Sequence, residues 1–251
     1  IEIPGDANLK LKAVLYRPEG AGPFPAVVGL HNCAGLNNSS GEIGVRYRDW
    51  GQRLAKEGFV VLFPDSNGSR GLGRQCGNLS QRSLRVDRER VADAAAARVW
   101  LQQQPYVQAD RVSLLGWASG GITALWTVWA ARTPPDGKDF RSAVALYPGC
   151  RRLANAAWSA RVPTLILIGR ADDQASASAC QQMVTGARGR SARVAIQVYA
   201  GAYHDFDHPN RPLQMRSGLP FTTDGTGSAH TGTHPPARAD ALKRVPDWFR
   251  Q

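Results

Sequence analysis

The sequence predicts a mainly parallel, doubly wound α/β fold with helices on both faces of the sheet, in a single domain spanning residues 1–251. Short apolar runs rich in β-branched residues alternate with helical patterns, and this alternation is typical of βαβ units. The runs are continuously apolar, as expected of strands covered on both faces. A hydrophobic content of 43% and a charged content of 20% fit a globular protein.

The elements follow in a regular order. Residues 1–18 alternate polar and apolar side chains around a Gly-Asp turn, which predicts an antiparallel hairpin at the sheet edge. The apolar runs predict six further strands, at 25–31, 59–65, 111–117, 141–149, 163–169 and 193–200. The helical patterns predict helices at 42–57, 87–104, 119–132, 175–188 and 238–249.

Two long irregular stretches, 66–83 and 205–236, interrupt this order. Loops of this length in a compact domain are usually functional or disordered. Both follow predicted strand ends on the side where open α/β sheets bind ligands. We therefore expect both near a ligand site, with 205–236 folded over it as a lid-like insertion.

The chain carries 31 Lys and Arg against 20 Asp and Glu, a formal net charge of +11. The basic residues are mostly arginines spread along the chain, without a basic run or a nucleic-acid-binding motif. We interpret the excess as a solvated surface and predict no nucleic-acid partner, while anionic substrates stay open. Since no apolar run reaches the roughly 18 residues of a membrane helix, no membrane partner is predicted. We expect a monomer or weak homo-oligomer.

The four cysteines, Cys33, Cys76, Cys150 and Cys180, lack zinc-site spacing. Cys150 follows one predicted strand and Cys180 lies in the helix after the next, so adjacent strands would bring them together. We expect a Cys150–Cys180 bridge, with Cys33 and Cys76 close enough for a second, although three connectivities are open. Bridges, and a start at Ile1 rather than Met, favour a periplasmic or secreted protein over a cytoplasmic one with free thiols.

The stretch 113-SLLGWASGGITALW-126 has the shape of a nucleophile elbow, a sharp turn that presents a catalytic residue between a strand and a helix. Gly116 and Gly120 supply small residues two before and two after the centre, where backbones approach closely. The centre of that frame is Ala118. A frame centred on Ser119 would put Trp117 at a position without room for an indole. Ala118 therefore occupies the nucleophile position.

An elbow predicts an acid after a later strand and a histidine nearer the C-terminus. Asp172 and Asp173 directly follow one predicted strand, and His204 follows the next. The cluster 204-HDFDH-208 could bind a metal, but no second group of ligands accompanies it and the acid–base pattern explains its donors. We predict neither a metal nor a cofactor.

The oxyanion hole needs two backbone N–H donors, one from the residue after the nucleophile and one from a loop after an early strand. Ser119 supplies the first, and Asn32 or Cys33, in 31-HNCAGL-36, the second. Five neighbouring residues are candidates for substrate contact, with core packing or solvation as the alternative for each: Trp117, Tyr203, Phe206, Arg70 and Arg74. The two arginines could hold a substrate carboxylate through bidentate hydrogen bonds.

Together these motifs resemble the dienelactone hydrolase family of α/β-hydrolases, particularly its serine-type, esterase-like members. The resemblance covers essentially the whole chain and is carried by 31-HNCAGL-36, 63-FPDSNGSRGLG-73, 116-GWASGG-121, 147-YPGC-150, 169-GRADD-173 and 201-GAYHDFD-207. It implies an α/β-hydrolase fold and hydrolysis of a small carboxylic ester or lactone through a Ser-His-Asp triad. The family pattern G-x-x-D implies that Asp172, not Asp173, orients His204.

Ala118 departs from that family, whose members carry Ser or Cys at this position. A methyl group cannot attack a carbonyl, so the chain as written lacks a nucleophile. Two explanations are open: a serine-to-alanine replacement that abolishes turnover, or a natural ligand-binding protein on a non-catalytic hydrolase scaffold. Because every other element of the pattern is present, we expect the first.

Overall fold

A computed structural model describes residues 1–77, 82–134 and 136–251. Its main sheet has eight strands in the order β1-β2-β4-β3-β5-β6-β7-β8. The strands are β1 (Glu2–Pro4), β2 (Lys10–Tyr16), β3 (Phe24–Leu30), β4 (Val60–Pro64), β5 (Val107–Trp117), β6 (Ala143–Leu146), β7 (Thr164–Gly169) and β8 (Val194–Tyr199). In the sheet order, pairing is antiparallel between β1 and β2 and between β2 and β4, and parallel from β4 through β8. The predicted fold class is confirmed.

Helices cover both faces of this sheet. They are α1 (Val45–Lys56), α2 (Glu89–Gln102), α3 (Ser119–Thr127), α4 (Arg151–Asn155), α5 (Ala177–Ala187) and α6 (Pro235–Arg250), and two short 3-10 helices span Asp6–Asn8 and Gly68–Arg70. α2 and α3 pack against each other and against the central strands. The ion pair Arg238–Asp49, at 2.7 Å, joins α6 to α1. Every residue of β4, β6 and β7 is buried, which explains their uninterrupted apolar sequences.

Beyond small shifts of element bounds and the 3-10 helix Gly68–Arg70 inside the predicted irregular stretch 66–83, the structure differs from the predicted elements in three places. α3 ends at Thr127 instead of residue 132. The helix stops there because Trp129 forms an antiparallel bridge with Ala160, and because the Arg161 guanidinium donates a hydrogen bond to the Thr127 carbonyl at 2.8 Å. The short helix α4 was not predicted. Within 205–236, which the sequence predicts as irregular, two short strands form an antiparallel pair: β9 (Gln214–Arg216) and β10 (Ala229–Thr231).

Both predicted disulfides are confirmed, Cys33–Cys76 and Cys150–Cys180. The first joins the loop after β3 to the stretch after β4, and the second joins α5 to the residue after the β6 turn. Across the described ranges, no helix is both long enough and apolar enough to cross a membrane.

Candidate active site

Ala118 lies at a strained turn between β5 and α3, with φ 49° and ψ −112°. This backbone conformation is costly for a residue with a side chain and is found mainly at functional sites. A Cβ on Gly116 would lie 2.2 Å from the Gly120 carbonyl oxygen, and a Cβ on Gly120 would lie 2.0 Å from the Leu30 carbonyl oxygen. Both glycines are therefore required by close packing of backbone on backbone, as the sequence frame predicts.

Asp172 and His204 form a buried pair next to this turn. The His204 Nδ1 lies 2.8 Å from the Asp172 Oδ2. The other carboxylate oxygen accepts the backbone N–H groups of Gln174 and Ala175, at 2.9 and 2.7 Å. Because Asp172 binds Nδ1, the Nε2 of His204 is left to accept a proton. Asp173, the alternative acid, instead contacts His230.

Two backbone N–H groups lie where the oxyanion donors are predicted. Neither Ser119 N–H nor Cys33 N–H has a protein acceptor in the part of the chain that the structure describes. Asn32 N–H donates to the Tyr47 hydroxyl at 2.8 Å, so of the two predicted loop donors Cys33 is the one whose N–H has no acceptor among the described residues. An N–H already bonded to a hydroxyl is not available to a developing oxyanion.

Ala118 and His204 line a small cleft of about 70 Å³. Three guanidinium groups surround it, from Arg74, Arg82 and Arg216, and Leu219, Pro220 and Phe221 line its outer side. A larger groove of about 400 Å³ lies beside α2, but none of the predicted catalytic positions lines it. The small cleft is therefore the candidate site, because Ala118, His204 and Cys33 all line it.

The dienelactone hydrolase family profile matches residues 11–251. The chain belongs to the dienelactone hydrolase family. A Bradyrhizobium protein named as a probable 2-oxo-3-(5-oxofuran-2-ylidene)propanoate lactonase is 34% identical over 126 residues, which cover 49% of this chain and 46% of the relative. The alignments with this relative and with one from Synechocystis span about half the length of each.

Solved structures share the fold over nearly the whole chain. A Klebsiella pneumoniae protein described as a dienelactone hydrolase has a TM-score of 0.74 at 22% identity, covering 100% of this chain and 96% of its own. A Thermogutta terrifontis esterase with bound propionate has a TM-score of 0.63 at 17% identity, covering 98% and 90%. At these identities the likeness concerns the fold alone.

Within this family framework, three of the predicted substrate contacts are wrong. Trp117 is fully buried beneath the elbow, and its indole N–H donates to Asp207 at 2.8 Å. Phe206 is also fully buried, against the Tyr147 ring. Arg70 donates to both oxygens of Asp93, at 2.8 and 2.9 Å, so both arms of its guanidinium are already paired with a carboxylate of the protein.

The other two candidates differ in position. Arg74 lines the cleft, whereas Tyr203 packs on His230 with ring centroids 4.7 Å apart. Sequence reasoning missed Arg82 and Arg216. Each lies in one of the two long irregular stretches that the sequence predicts near a ligand site, but nothing in the sequence distinguishes these two arginines from the others in the same stretches.

The segment 205–236 contributes one side of the cleft. Asp173 fixes it, because its carboxylate accepts the His230 backbone N–H at 2.8 Å and contacts His230 Nδ1 at 2.7 Å. The Asp173 carbonyl also accepts the Thr223 N–H at 2.7 Å. Leu213 and Met215 of this segment are 59% and 57% exposed, so the segment leaves these two apolar side chains at the surface.

A buried polar cluster supports the site from below. The Asp207 Oδ2 accepts the indole N–H groups of Trp50 and Trp117, at 2.7 and 2.8 Å, and its Oδ1 accepts the Tyr147 hydroxyl at 2.6 Å. The Tyr147 ring in turn lies 4.5 Å from the His204 ring, centroid to centroid. The sequence gives no signal of these partners, which come from distant parts of the chain.

Two opposing effects set the pKa of His204. Burial lowers it, but the charge and hydrogen bond of Asp172 raise it and prevail, so the pKa lies above its ordinary value of 6.5.

A general base must be neutral to accept a proton. We therefore expect kcat/KM of the Ala118→Ser protein to rise with pH through a midpoint above 6.5. Asp172→Asn in that background should move the midpoint below 6.5, since burial then acts without the carboxylate. A pH–rate profile with p-nitrophenyl acetate measures both. An Ala118→Ser midpoint below 6 would contradict the assigned acid–base pair.

Proposed function

We propose that the Ala118→Ser form of this chain hydrolyses carboxylic esters or lactones, and that the present chain is its inactivated form. The observation that carries this proposal is the position of His204, which lines one cleft with Ala118 and whose Nδ1 lies 2.8 Å from the Asp172 Oδ2. The test is the activity of the Ala118→Ser protein on short p-nitrophenyl esters and lactones. A well-folded protein without turnover on any of them would refute the proposal.

In the proposed mechanism, a serine hydroxyl at position 118 attacks the substrate carbonyl while His204 Nε2 takes its proton. His204 then donates that proton to the leaving alcohol, which leaves an acyl-enzyme. Water, deprotonated by the same nitrogen, attacks the acyl carbon; the bond to the serine oxygen then breaks, His204 returns the proton to that oxygen, and the acid is released. Asp172 fixes the His204 tautomer and stabilises the imidazolium that forms in both halves.

The tetrahedral intermediate in each half carries a negative oxygen. We propose that Ser119 N–H and Cys33 N–H bind it, since both are free of protein acceptors within the described residues. Fixed backbone dipoles stabilise such an oxyanion without reorganising during the reaction. Every step uses groups of the chain itself, so the mechanism requires no cofactor.

The cleft favours a substrate that carries an anionic group. Among the residues that the structure describes, Arg74, Arg82 and Arg216 have no carboxylate partner. Burial lowers the pKa of Arg82, and burial together with the charge of Arg74 lowers that of Arg216. A substrate carboxylate would offset this unpaired charge. The compound in the Bradyrhizobium relative's name is a lactone with a propanoate group, which fits this class.

The alternative function is ligand binding without turnover. Ala118 itself favours it, because the chain as written has no nucleophile at the elbow. The native codon for position 118 separates the two proposals directly. A serine codon supports the inactivated hydrolase, and an alanine codon supports the binding protein. We also propose an oxidising compartment for either form, since both cysteine pairs are bridged.

We propose that the tip of 205–236 acts as a lid. β9 and β10 converge at Ser217 and Ser228, whose hydroxyls lie 3.1 Å apart, so a two-residue Asn-Gly turn can replace 218–227. This removes Leu219, Pro220 and Phe221 from the cleft. We expect kcat/KM of the Ala118→Ser protein for p-nitrophenyl butyrate to fall about tenfold, because water then enters the site.

The exposed face of β9 provides the control for this replacement. Leu213→Ser and Met215→Ser change the same hairpin away from the cleft and should leave kcat/KM unchanged. If the shortened protein folds and hydrolyses small and bulky esters at the original rates, the segment is not a lid.

A further inference from the structure

Arg90, in the first turn of α2, is a buried cation without a carboxylate partner in the described part of the chain. The residue is 3% exposed. The nearby Asp93 is already held by both arms of Arg70. Burial lowers the pKa of Arg90 to about 10, so the guanidinium remains charged at neutral pH. A buried charge without a counter-ion destabilises a fold, so such a group is a candidate for a functional role.

The guanidinium joins the two elements that carry the proposed oxyanion donors. One arm donates to the Ser119 Oγ at 3.1 Å, and the other donates to the His31 carbonyl at 2.5 Å. Ser119 begins α3 and supplies one donor. His31 follows β3 and lies two residues before Cys33, which supplies the other.

The contact between Arg90 and His31 also affects the orientation of the Cys33 N–H, because His31 is hydrogen-bonded to the peptide group between Asn32 and Cys33. The His31 Nε2 accepts the Ser66 N–H at 3.2 Å, so the neutral ring carries its proton on Nδ1, which donates to the Asn32 carbonyl at 2.6 Å. That carbonyl and the Cys33 N–H belong to one planar, trans peptide, and they point in opposite directions. Fixing the Asn32 carbonyl therefore aims the Cys33 N–H.

Burial lowers the pKa of His31 far below its ordinary value, and the charge of Arg90 lowers it further. Arg90 thus helps to keep the ring in the neutral form that this arrangement needs. A protonated ring could not accept the Ser66 N–H.

We infer that Arg90 is a positioning residue of the oxyanion hole, which holds Ser119 and the His31–Cys33 turn at the separation that lets two N–H groups bind one oxygen. This inference rests on the proposed hydrolase function. The positive charge would also favour the oxyanion electrostatically, since the guanidinium is hydrogen-bonded to Ser119, one proposed donor residue, and to His31, two residues before the other.

The test compares variants in the Ala118→Ser background. Arg90→Lys keeps the charge but cannot span both acceptors, and Arg90→Met removes both. We expect kcat for p-nitrophenyl acetate to fall about 10- to 100-fold in each, with KM changed less than about threefold, because the oxyanion forms only after binding. Inhibition by a trifluoromethyl ketone, which forms the same oxyanion on the nucleophile, should weaken in proportion.

Arg98→Met is the matched control. Arg98 is a second buried arginine of α2, 2% exposed, and it pairs with Asp136 at 2.7 Å, away from the cleft. The Arg98→Met substitution should lower thermal stability without changing kcat. Unchanged kcat in both Arg90 variants, an equal loss in Arg98→Met, or a loss confined to KM would each overturn the role of Arg90.

A third variant decides the matter if neither Arg90 variant folds. Ser119→Ala removes one acceptor of Arg90 and keeps the backbone N–H. A fall in kcat and in ketone affinity of about threefold or more supports the inference, and unchanged values overturn it. An inactive Ala118→Ser protein would refute the proposed function and this inference together, whereas an active one isolates the question of Arg90.

Discussion

Replacing Ala118 with serine is expected to raise the hydrolysis of p-nitrophenyl acetate by about 10³-fold or more, since removing a triad nucleophile costs at least that much in related enzymes. The substitution adds one oxygen at a position whose strained backbone already presents its side chain to the cleft. The His204–Asp172 pair and the two N–H donors are in place. Purified Ala118 and Ala118→Ser proteins, assayed side by side, give the ratio.

Substitutions at two histidines test whether the new activity arises from the proposed acid–base pair or from a nonspecific effect. His204→Ala in the Ala118→Ser protein should abolish the new activity, because no other base contacts the Asp172 carboxylate within the described residues. His208→Ala should retain most of it. Burial lowers the pKa of His208 to about 4, and its Nδ1 accepts the Asn210 N–H instead of meeting the acid. Equal losses in both variants would show that the activity does not arise from the assigned pair.

Features that depend on local sequence could be predicted. The continuous apolar runs predict buried parallel strands, because strands covered on both faces need no polar alternation. The spacing of Gly116 and Gly120 predicts the elbow, since only glycine permits backbone carbonyls 2.0–2.2 Å from a would-be Cβ. Asp172 and His204 could be predicted because parallel strands end at one edge, so consecutive strand ends bring their following residues together.

Features that depend on distant loops could not be predicted. Arg82 and Arg216 meet at the cleft only because β9, β10 and the Asp173 contacts fold 205–236 back on the domain. Three-residue strands such as β9 are too short to show a periodicity. Trp117 shows the converse error: an aromatic residue beside a catalytic position looks like a pocket wall, yet its N–H has a buried acceptor 90 residues away.

Asp207, the acceptor of the Trp117 N–H, is the site of the second substitution with a large expected effect. Asp207→Ala is expected to lower the free energy of unfolding by about 3–5 kcal/mol, the usual cost of breaking a buried charged cluster by removing one member. The side chain is fully buried, and the Arg46 Nε lies 3.6 Å from its Oδ1. Alanine would leave two indole N–H groups and a tyrosine hydroxyl without their acceptor, each at a cost of about 1–3 kcal/mol before relaxation.

Urea denaturation at neutral pH measures this loss, and Asp247→Ala provides the control. The Asp247 side chain is 54% exposed and pairs with Arg250 at 3.3 Å on the surface of α6, so its removal should cost less than about 1 kcal/mol. A loss below 1 kcal/mol for Asp207→Ala would contradict the assigned cluster. The same substitution should also lower kcat in the Ala118→Ser background, because Trp117 precedes the elbow residue and Tyr147 packs on the His204 ring. Asp207 would then couple fold stability to catalytic geometry through two fully buried aromatic side chains, Trp117 and Tyr147.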